Sequence, residues 1–294
     1  MRIEDLAPGA MNLAPIQVEL DQFTVPVPGQ AQTFQAPLGK NIPLDFLVVN
    51  EKSDVLVVAL HGATDRAKYK LPRFEWLNTV AGNGYSSLYF SDPTLKMKDA
   101  SYFQLAWYAG WPEIDLNAIM AEVVRSAAAQ LGSKHILVVG ASGGGFAALQ
   151  LAARLPDSIA VSLNGQTEIS SYHVDGKTGA QRVFIDILAP YAADTNLEVF
   201  NSRTTDWTLA FGNRLSAIRT YTTPVPNRAI IVQNTNDAHH YYDHYLPIRR
   251  AIETGRNVDR VRFAEYAGAS AHVPPPRATF MEHLASAETW SKSR

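Results

Sequence analysis

His135-Ile-Leu-Val-Val-Gly-Ala-Ser-Gly-Gly-Gly-Phe-Ala-Ala-Leu149 is the stretch whose reading decides the fold. Ile136 to Val139 is short, apolar and rich in β-branched residues, the pattern of a buried strand. Phe146 to Leu149 opens a helical pattern that runs to about Leu155. Between them Gly140-Ala-Ser142-Gly-Gly144 matches G-x-S-x-G. A serine on so tight a strand-to-helix turn takes strained backbone angles, and its neighbours crowd unless they lack a Cβ. Its hydroxyl is then exposed at a helix N-terminus, where backbone N–H groups can meet developing negative charge. Glycine-rich turns also bind phosphates, but no Gly-Lys-Ser/Thr of a Walker loop follows. The glycines at 140, 143, 144 and 145 do not form G-x-G-x-x-G.

The 294 residues suit one large α/β domain or two small ones, and 46% apolar content is ample for a core. A net charge of −2 and a pI near 6.4 leave no electrostatic footprint for nucleic acid. No run of 18 apolar residues suggests a membrane span. The N-terminal residues lack a basic region followed by an apolar stretch, so a cytoplasmic protein is expected. With no cysteine, disulfides and thiolate metal sites are excluded, and no cofactor is expected. Oligomeric state is not legible.

Working outward, Ile16 to Val25 alternates like a half-buried strand, and Thr33 to Ala36 and Leu44 to Asn50 read as further strands entering antiparallel. Asp54 to Leu60 reads as a fully buried strand ending at His61-Gly62-Ala63. A helix is expected over Leu71 to Ala81, a strand over Tyr85 to Phe90, and an aromatic loop from Ser91 to Gly110. Pro112 to Leu131 has the strongest helical pattern, with Pro112 in a first-turn position and Gly132 as the stop. Ile159 to Leu163 is the next strand. From 170 to 227 the strand pattern lapses and an insertion is expected, with helical pieces at Ala180 to Leu188 and Thr205 to Ala217. Strands resume at Arg228 to Val232 and Val261 to Tyr266, separated by a helix over Tyr241 to Thr254. A last helix runs to about Trp290. Strands alternating with helices imply an α/β fold with a mostly parallel sheet covered on both faces.

A serine hydroxyl needs a base to take its proton, usually an imidazole held in one tautomer by a carboxylate. His272, in the loop Gly268-Ala-Ser-Ala-His272 after the last strand, is the best base. His61, His135, His173 and His283 are placed less well in the strand order. Asp237, just past the strand Ile230-Ile-Val232, is the best orienting acid, with Asp243 the runner-up. The 35 residues from Asp237 to His272 allow one helix and one strand. His239, His240 and His244 cluster beside Asp237 and Asp243, which admits a metal site. Exposure or a substrate-facing role is the reading preferred, and no metal is expected.

The order Ser142, Asp237, His272, each at a strand end, resembles the α/β-hydrolase fold over roughly residues 45 to 290. The resemblance implies a single domain, with residues 170–227 as its cap. It implies Ser142 as nucleophile, His272 as base and Asp237 as acid. The backbone N–H groups of Gly143 and Ala63 would form the oxyanion hole. The loop reads H-G-A-T where many esterases have H-G-G-G. His61, Gly62, Trp107 and Tyr108 are expected to line the substrate cleft. The expected activity is hydrolysis of a small-molecule carboxylic ester through an acyl-enzyme. Acyl transfer to a sugar or other alcohol, amide or peptide cleavage, and a non-catalytic binding module are the alternatives.

Overall fold

The structure is a computed structural model that describes residues 1–173, 176, 179–188 and 207–293. Its strands are β1 (Ile16–Gln17), β2 (Gln30–Pro37), β3 (Pro43–Asn50), β4 (Val55–Leu60), β5 (Ser86–Ser91), β6 (His135–Ala141), β7 (Ile159–Leu163), β8 (Arg228–Asn234) and β9 (Val261–Tyr266). They form one sheet in the order β1-β2-β3-β5-β4-β6-β7-β8-β9. From β5 to β9 neighbouring strands run parallel, and β3 joins antiparallel to both β2 and β5. This is the expected mixed sheet with an antiparallel N-terminal entry.

The helices are α1 (Leu77–Val80), α2 (Leu116–Leu131), α3 (Gly143–Ala152), α4 (Gly179–Leu188), α5 (Ala217–Tyr221), α6 (Ala238–His240), α7 (Leu246–Glu253) and α8 (Arg277–Lys292). Alternate residues of the central strands feed two cores, as the period-two pleat requires. Leu56, Val58, Leu60 and Val138 pack in one core with α2, α3, α5 and α7. Val55, Val57, Leu137 and Val139 pack on the other face with Phe280 and Leu284 of α8.

Three elements differ from expectation. Strand pairing at Ile16 ends after Gln17, because the chain turns at Glu19 to Gln22. Phe23 then drops into the core, its ring 5.1 Å from that of Phe46. Over Leu71 to Ala81 only Leu77–Val80 is helical. Pro72 supplies no N–H, Arg73 N–H donates to Ser91 Oγ at 3.0 Å, and Trp76 adopts φ +67°. The long helix starts at Leu116 rather than Pro112, because Asp115 is its N-cap, accepting from Ala118 N–H at 3.3 Å. Glu113 therefore lies before the helix. Pro247 is accommodated without a break: α6 runs through a π-helical turn (Tyr241–Tyr245) into α7, with Leu246 N–H donating to Tyr241 O.

Within residues 170–227, α4 and a 3₁₀ segment (Trp207–Leu215) match the expected helical pieces in part. Residues 174–175, 177–178 and 189–206 lie outside those described, including the start of the piece expected from 205. The described parts grip the body of the domain. Arg214 Nη1 donates to the carbonyls of Trp111 at 3.1 Å and Ile114 at 3.0 Å.

The turn from β6 to α3 depends on glycine at close quarters. A Cβ at Gly140 would overlap the backbone of Gly144, and one at Gly144 would overlap Leu60 O. Gly140→Ala is expected to destabilise the fold by about 2 kcal/mol or more. Urea unfolding at a constant m-value checks this; an unchanged midpoint would contradict it.

Candidate active site

Five loops meet at the C-terminal ends of adjacent parallel strands, where open α/β sheets form their ligand crevices. β6 delivers Ser142, β4 the His61–Thr64 loop, β7 the segment Asn164-Gly165-Gln166, β8 Asp237 and β9 His272. Ser142 sits at φ +55°, ψ −122°, a conformation that costs on the order of 1–3 kcal/mol for a non-glycine residue. Its N–H donates to Leu163 O at 3.0 Å, tying the turn to β7.

His272 Nε2 lies 2.8 Å from Ser142 Oγ, and His272 Nδ1 lies 2.7 Å from Asp237 Oδ2. The three residues that sequence order singled out are therefore hydrogen-bonded in file. Asparagines fix the loop that carries the histidine. Asn234 Oδ1 accepts from Gly268 N–H at 2.8 Å, Asn234 Nδ2 donates to Ala269 O at 2.7 Å, and Asn236 Nδ2 donates to Gly268 O at 2.6 Å. Asp237 also caps α6. Its burial would raise its pKa, but hydrogen bonds from His240 and His272 outweigh that and hold the carboxyl well below the usual range.

The loop after β4 is rigidly held. Gly62 N–H donates to Glu75 Oε2 at 2.9 Å, and Glu75 Oε1 accepts from Arg73 Nη2 at 2.7 Å. Thr64 N–H donates to Gln104 O at 2.8 Å. Among the described residues nothing accepts from the N–H of Ala63 between them, and Ala63 is exposed. Gly143 opens α3, so its N–H has no partner earlier in the helix. A Cβ on Gly62 would stand 3.4 Å from Ser142 Cβ, so glycine lets this loop approach the serine closely.

Other expected cleft residues have different places. His61 is buried: its Nε2 accepts from Asp92 N–H at 2.9 Å, so Nδ1 carries the proton and donates to Gly62 O at 2.7 Å. Tyr108 is also buried; its hydroxyl donates to Phe90 O at 2.9 Å and accepts from His61 N–H at 3.0 Å. Both side chains brace the loop and present no surface to a ligand. Trp107 is fully buried, but it borders the serine turn, Cδ1 lying 3.6 Å from where a Gly143 Cβ would be. Its ring packs edge-on against Tyr172 and against Phe184 of α4.

The histidine cluster is not exposed as expected. His240 and His244 are buried, and His239 pairs with Asp243 at 2.6 Å. His240 Nδ1 lies 3.2 Å from Asp237 Oδ1, and its ring lies 3.7 Å from that of His272 at an interplanar angle of 5°. Asp237, His240 and His272 have ligand-type atoms within 4.8 Å of one another. A shared metal ion fits them poorly. Parallel stacked imidazoles aim their lone pairs side by side, whereas coordination at about 2.0–2.1 Å needs them to converge. Sequence reasoning missed two residues here. Gln166 donates to Ser142 Oγ at 3.0 Å, and His240 is the second partner of Asp237. The legible signals were a polar residue just past a buried strand and the Asp-x-x-His spacing at the start of a helix.

The sequence matches no protein-family model and no curated protein. Solved structures are similar in fold. The capsule O-acetyltransferase of Neisseria meningitidis serogroup A superposes with a TM-score of 0.56 at 12% identity, over 86% of this chain and 92% of that one. Mycobacterium tuberculosis MPT51 (FbpC1) gives 0.51 at 18% identity, over 92% and 96%. Prolyl oligopeptidase B from Galerina marginata gives 0.53 at 14% identity, over 89% of this chain but 36% of that one. The chain has the α/β-hydrolase fold. Among the described residues no helix is long and apolar enough to cross a membrane.

Burial keeps His61 and His240 neutral, lowering each from its ordinary value to about 4, and lowers His244 well below the usual range. The unfolded chain takes up these protons as pH falls below about 6.5, while the folded chain refuses them, so stability declines from pH 6.5 towards 4. His61 and His240 each contribute on the order of 3 kcal/mol to that decline by pH 4. Asp92, raised by burial to about 6, takes its proton earlier when folded and offsets part of it. Calorimetry across this window is expected to show a steeply falling Tm; a flat profile would refute the neutrality of the buried imidazoles.

Proposed function

We propose that this protein is a serine hydrolase that cleaves a small-molecule carboxylic ester through an acyl-enzyme. The observation that carries the reading is the hydrogen-bonded file Ser142–His272–Asp237 on a strained, glycine-flanked turn. His272 Nε2 takes the hydroxyl proton as Oγ attacks the carbonyl carbon, and Asp237 steadies the imidazolium that forms. The negative oxygen of the tetrahedral intermediate is received by the N–H groups of Gly143 and Ala63. The unpaired state of the Ala63 N–H supports that role, since its neighbours on either side are already engaged. Collapse expels the alcohol, which takes the proton from His272. Water, activated by the same imidazole, then frees the acid. Residues 170–227 serve as the cap, a role supported by the packing of Tyr172 and Phe184 on Trp107.

Acyl transfer is the second reading, favoured by similarity to a capsule O-acetyltransferase. It uses the same acyl-enzyme, with an acceptor alcohol replacing water. Product analysis with and without added polyol separates the two.

Ser142→Ala is expected to remain folded by circular dichroism and to lose activity on a p-nitrophenyl ester by about 10³-fold or more. A fluorophosphonate should label Ser142 in the native protein and not in the variant. Full activity of purified Ser142→Ala would overturn the mechanism. A panel of ester chain lengths, run beside matching anilides, reads the acyl pocket and the ester preference together.

A further inference from the structure

The polar atoms around Ser142 admit one arrangement of protons, and that arrangement gives work to two residues outside the triad. Trp107 Nε1–H is a donor only, and it lies 3.3 Å from Gln166 Oε1. The amide oxygen of Gln166 therefore faces the indole, and its Nε2 faces the serine. That nitrogen has two hydrogens and two neighbours: Ser142 Oγ at 3.0 Å and His240 Nε2 at 2.8 Å. His240 Nε2 must then accept, so the proton of this ring is on Nδ1, which donates to Asp237 Oδ1 at 3.2 Å. Asp237 Oδ2 receives the Nδ1–H of His272, leaving the His272 Nε2 lone pair for the serine hydroxyl. The orientations of the amide and both imidazoles follow from the network as a whole.

We propose that Gln166 is a further catalytic residue, donating to the serine oxygen, and that His240 is the positioning residue behind it. Together they close a ring Ser142–His272–Asp237–His240–Gln166. The inference rests on the serine-hydrolase reading and adds to it. Gln166 touches the reacting atom. In the resting enzyme its N–H occupies one Oγ lone pair, which turns the hydroxyl proton towards His272. When the Oγ–carbon bond forms, and again when it breaks as the acyl group leaves to water, the same N–H meets the charge on the oxygen. His240 touches no substrate. Its lone pair holds the second Gln166 hydrogen, its N–H holds Asp237 Oδ1, and its ring lies flat against that of His272 at 3.7 Å. The other titratable groups around it are His239 and His244, with ring centroids at 5.1 and 5.2 Å, and Tyr172 at 6.0 Å. None of these brings a negative charge that would draw a proton onto His240. The proton released by Ser142 is therefore taken by His272, and His240 stays neutral.

The test uses the full chain. Gln166→Ala should slow both fluorophosphonate labelling of Ser142 and the acylation burst with p-nitrophenyl acetate by about 10- to 100-fold, with KM changed little. His240→Phe keeps a ring against His272 but removes both hydrogen bonds. Asp237 is then left to His272 alone, so the imidazolium is better stabilised, and the acid limb of the kcat/KM profile should move to higher pH. A variant that merely loosened the Asp237–His272 pair would move it to lower pH. His240→Phe, which leaves the Gln166 amide unheld, should also slow labelling of Ser142, and His240→Gln, which can both donate and accept, should recover part of the rate. Proton NMR gives a readout free of substrate. Wild type should show two low-field imidazole N–H signals, one lost in His240→Phe and the other in His272→Ala. Wild-type labelling rates in Gln166→Ala and His240→Phe, or a single low-field signal in wild type, would overturn the ring while leaving the hydrolase reading intact. Failure of wild type to label Ser142 would overturn the hydrolase reading, and with it the catalytic role of Gln166.

Discussion

Everything at this site depends on the close approach of α3 to the ends of β4, β6 and β7. Three glycines permit it. Gly140 has no room for a Cβ against Gly144, Gly144 has none against Leu60 and His61, and Gly145 faces Ser162 and Gly165. These contacts press the first turn of α3 onto the sheet, and the only way into it from β6 is the left-handed φ of Ser142. The strain is on the order of 1–3 kcal/mol. It is offset by a helix buried along its whole length, from Gly143 to Ala152. A looser turn would relax the serine, and it would also move the loop after β4 and the segment at Gln166 away from its hydroxyl.

The second constraint is electrostatic. One carboxylate serves two imidazoles, and each of its oxygens accepts an N–H. Because both rings donate through Nδ1, both have Nε2 lone pairs free, one facing the serine hydroxyl and one facing the Gln166 amide. The two histidines thus have the same tautomer but opposite uses. His272 is exposed and reaches Ser142 Oγ. His240 is buried, and desolvation holds it neutral. Burial and the hydrogen bond to Gln166 set the His240 ring apart from the exposed ring beside the serine.

The sheet, the serine turn, and the strand-end positions of Asp237 and His272 beside Ser142 were readable in the sequence because each follows from strand order. Buried strands such as Val55–Leu60 and Ile159–Leu163 are apolar throughout, and the residues just past their ends must gather at one rim. Other features depend on partners distant in sequence. Trp76 in a left-handed conformation keeps the helix that Leu71 to Ala81 suggests from starting before Leu77, and its ring stacks on Phe280 of α8. His61 and Tyr108 look like cleft residues by position. Only the three-dimensional pairing of His61 Nε2 with Asp92 N–H, and of Tyr108 with Phe90 O, reveals them as internal braces. Gln166 carries no charge and belongs to no motif, so its chemistry becomes visible only once Trp107 is placed against it.

The aromatic loop thereby acquires a role different from the expected substrate wall. Trp107 and Tyr108 both have positive φ, at +54°, which turns two adjacent large side chains into the core in opposite services. Tyr108 fixes the loop after β4 through His61 N–H, and so sets where the N–H of Ala63 points. Trp107 fixes the Gln166 amide through its indole, and so sets which atom faces the serine. On its other side the same indole ring packs edge-on against Phe184, 5.5 Å away. Helix α4 is therefore linked to the orientation of Gln166 through one aromatic ring. Any displacement of α4 that let Trp107 turn would free the amide to flip, presenting its oxygen to the serine. An oxygen there would accept the hydroxyl proton where the amide N–H had donated to Oγ, turning that proton away from His272 Nε2.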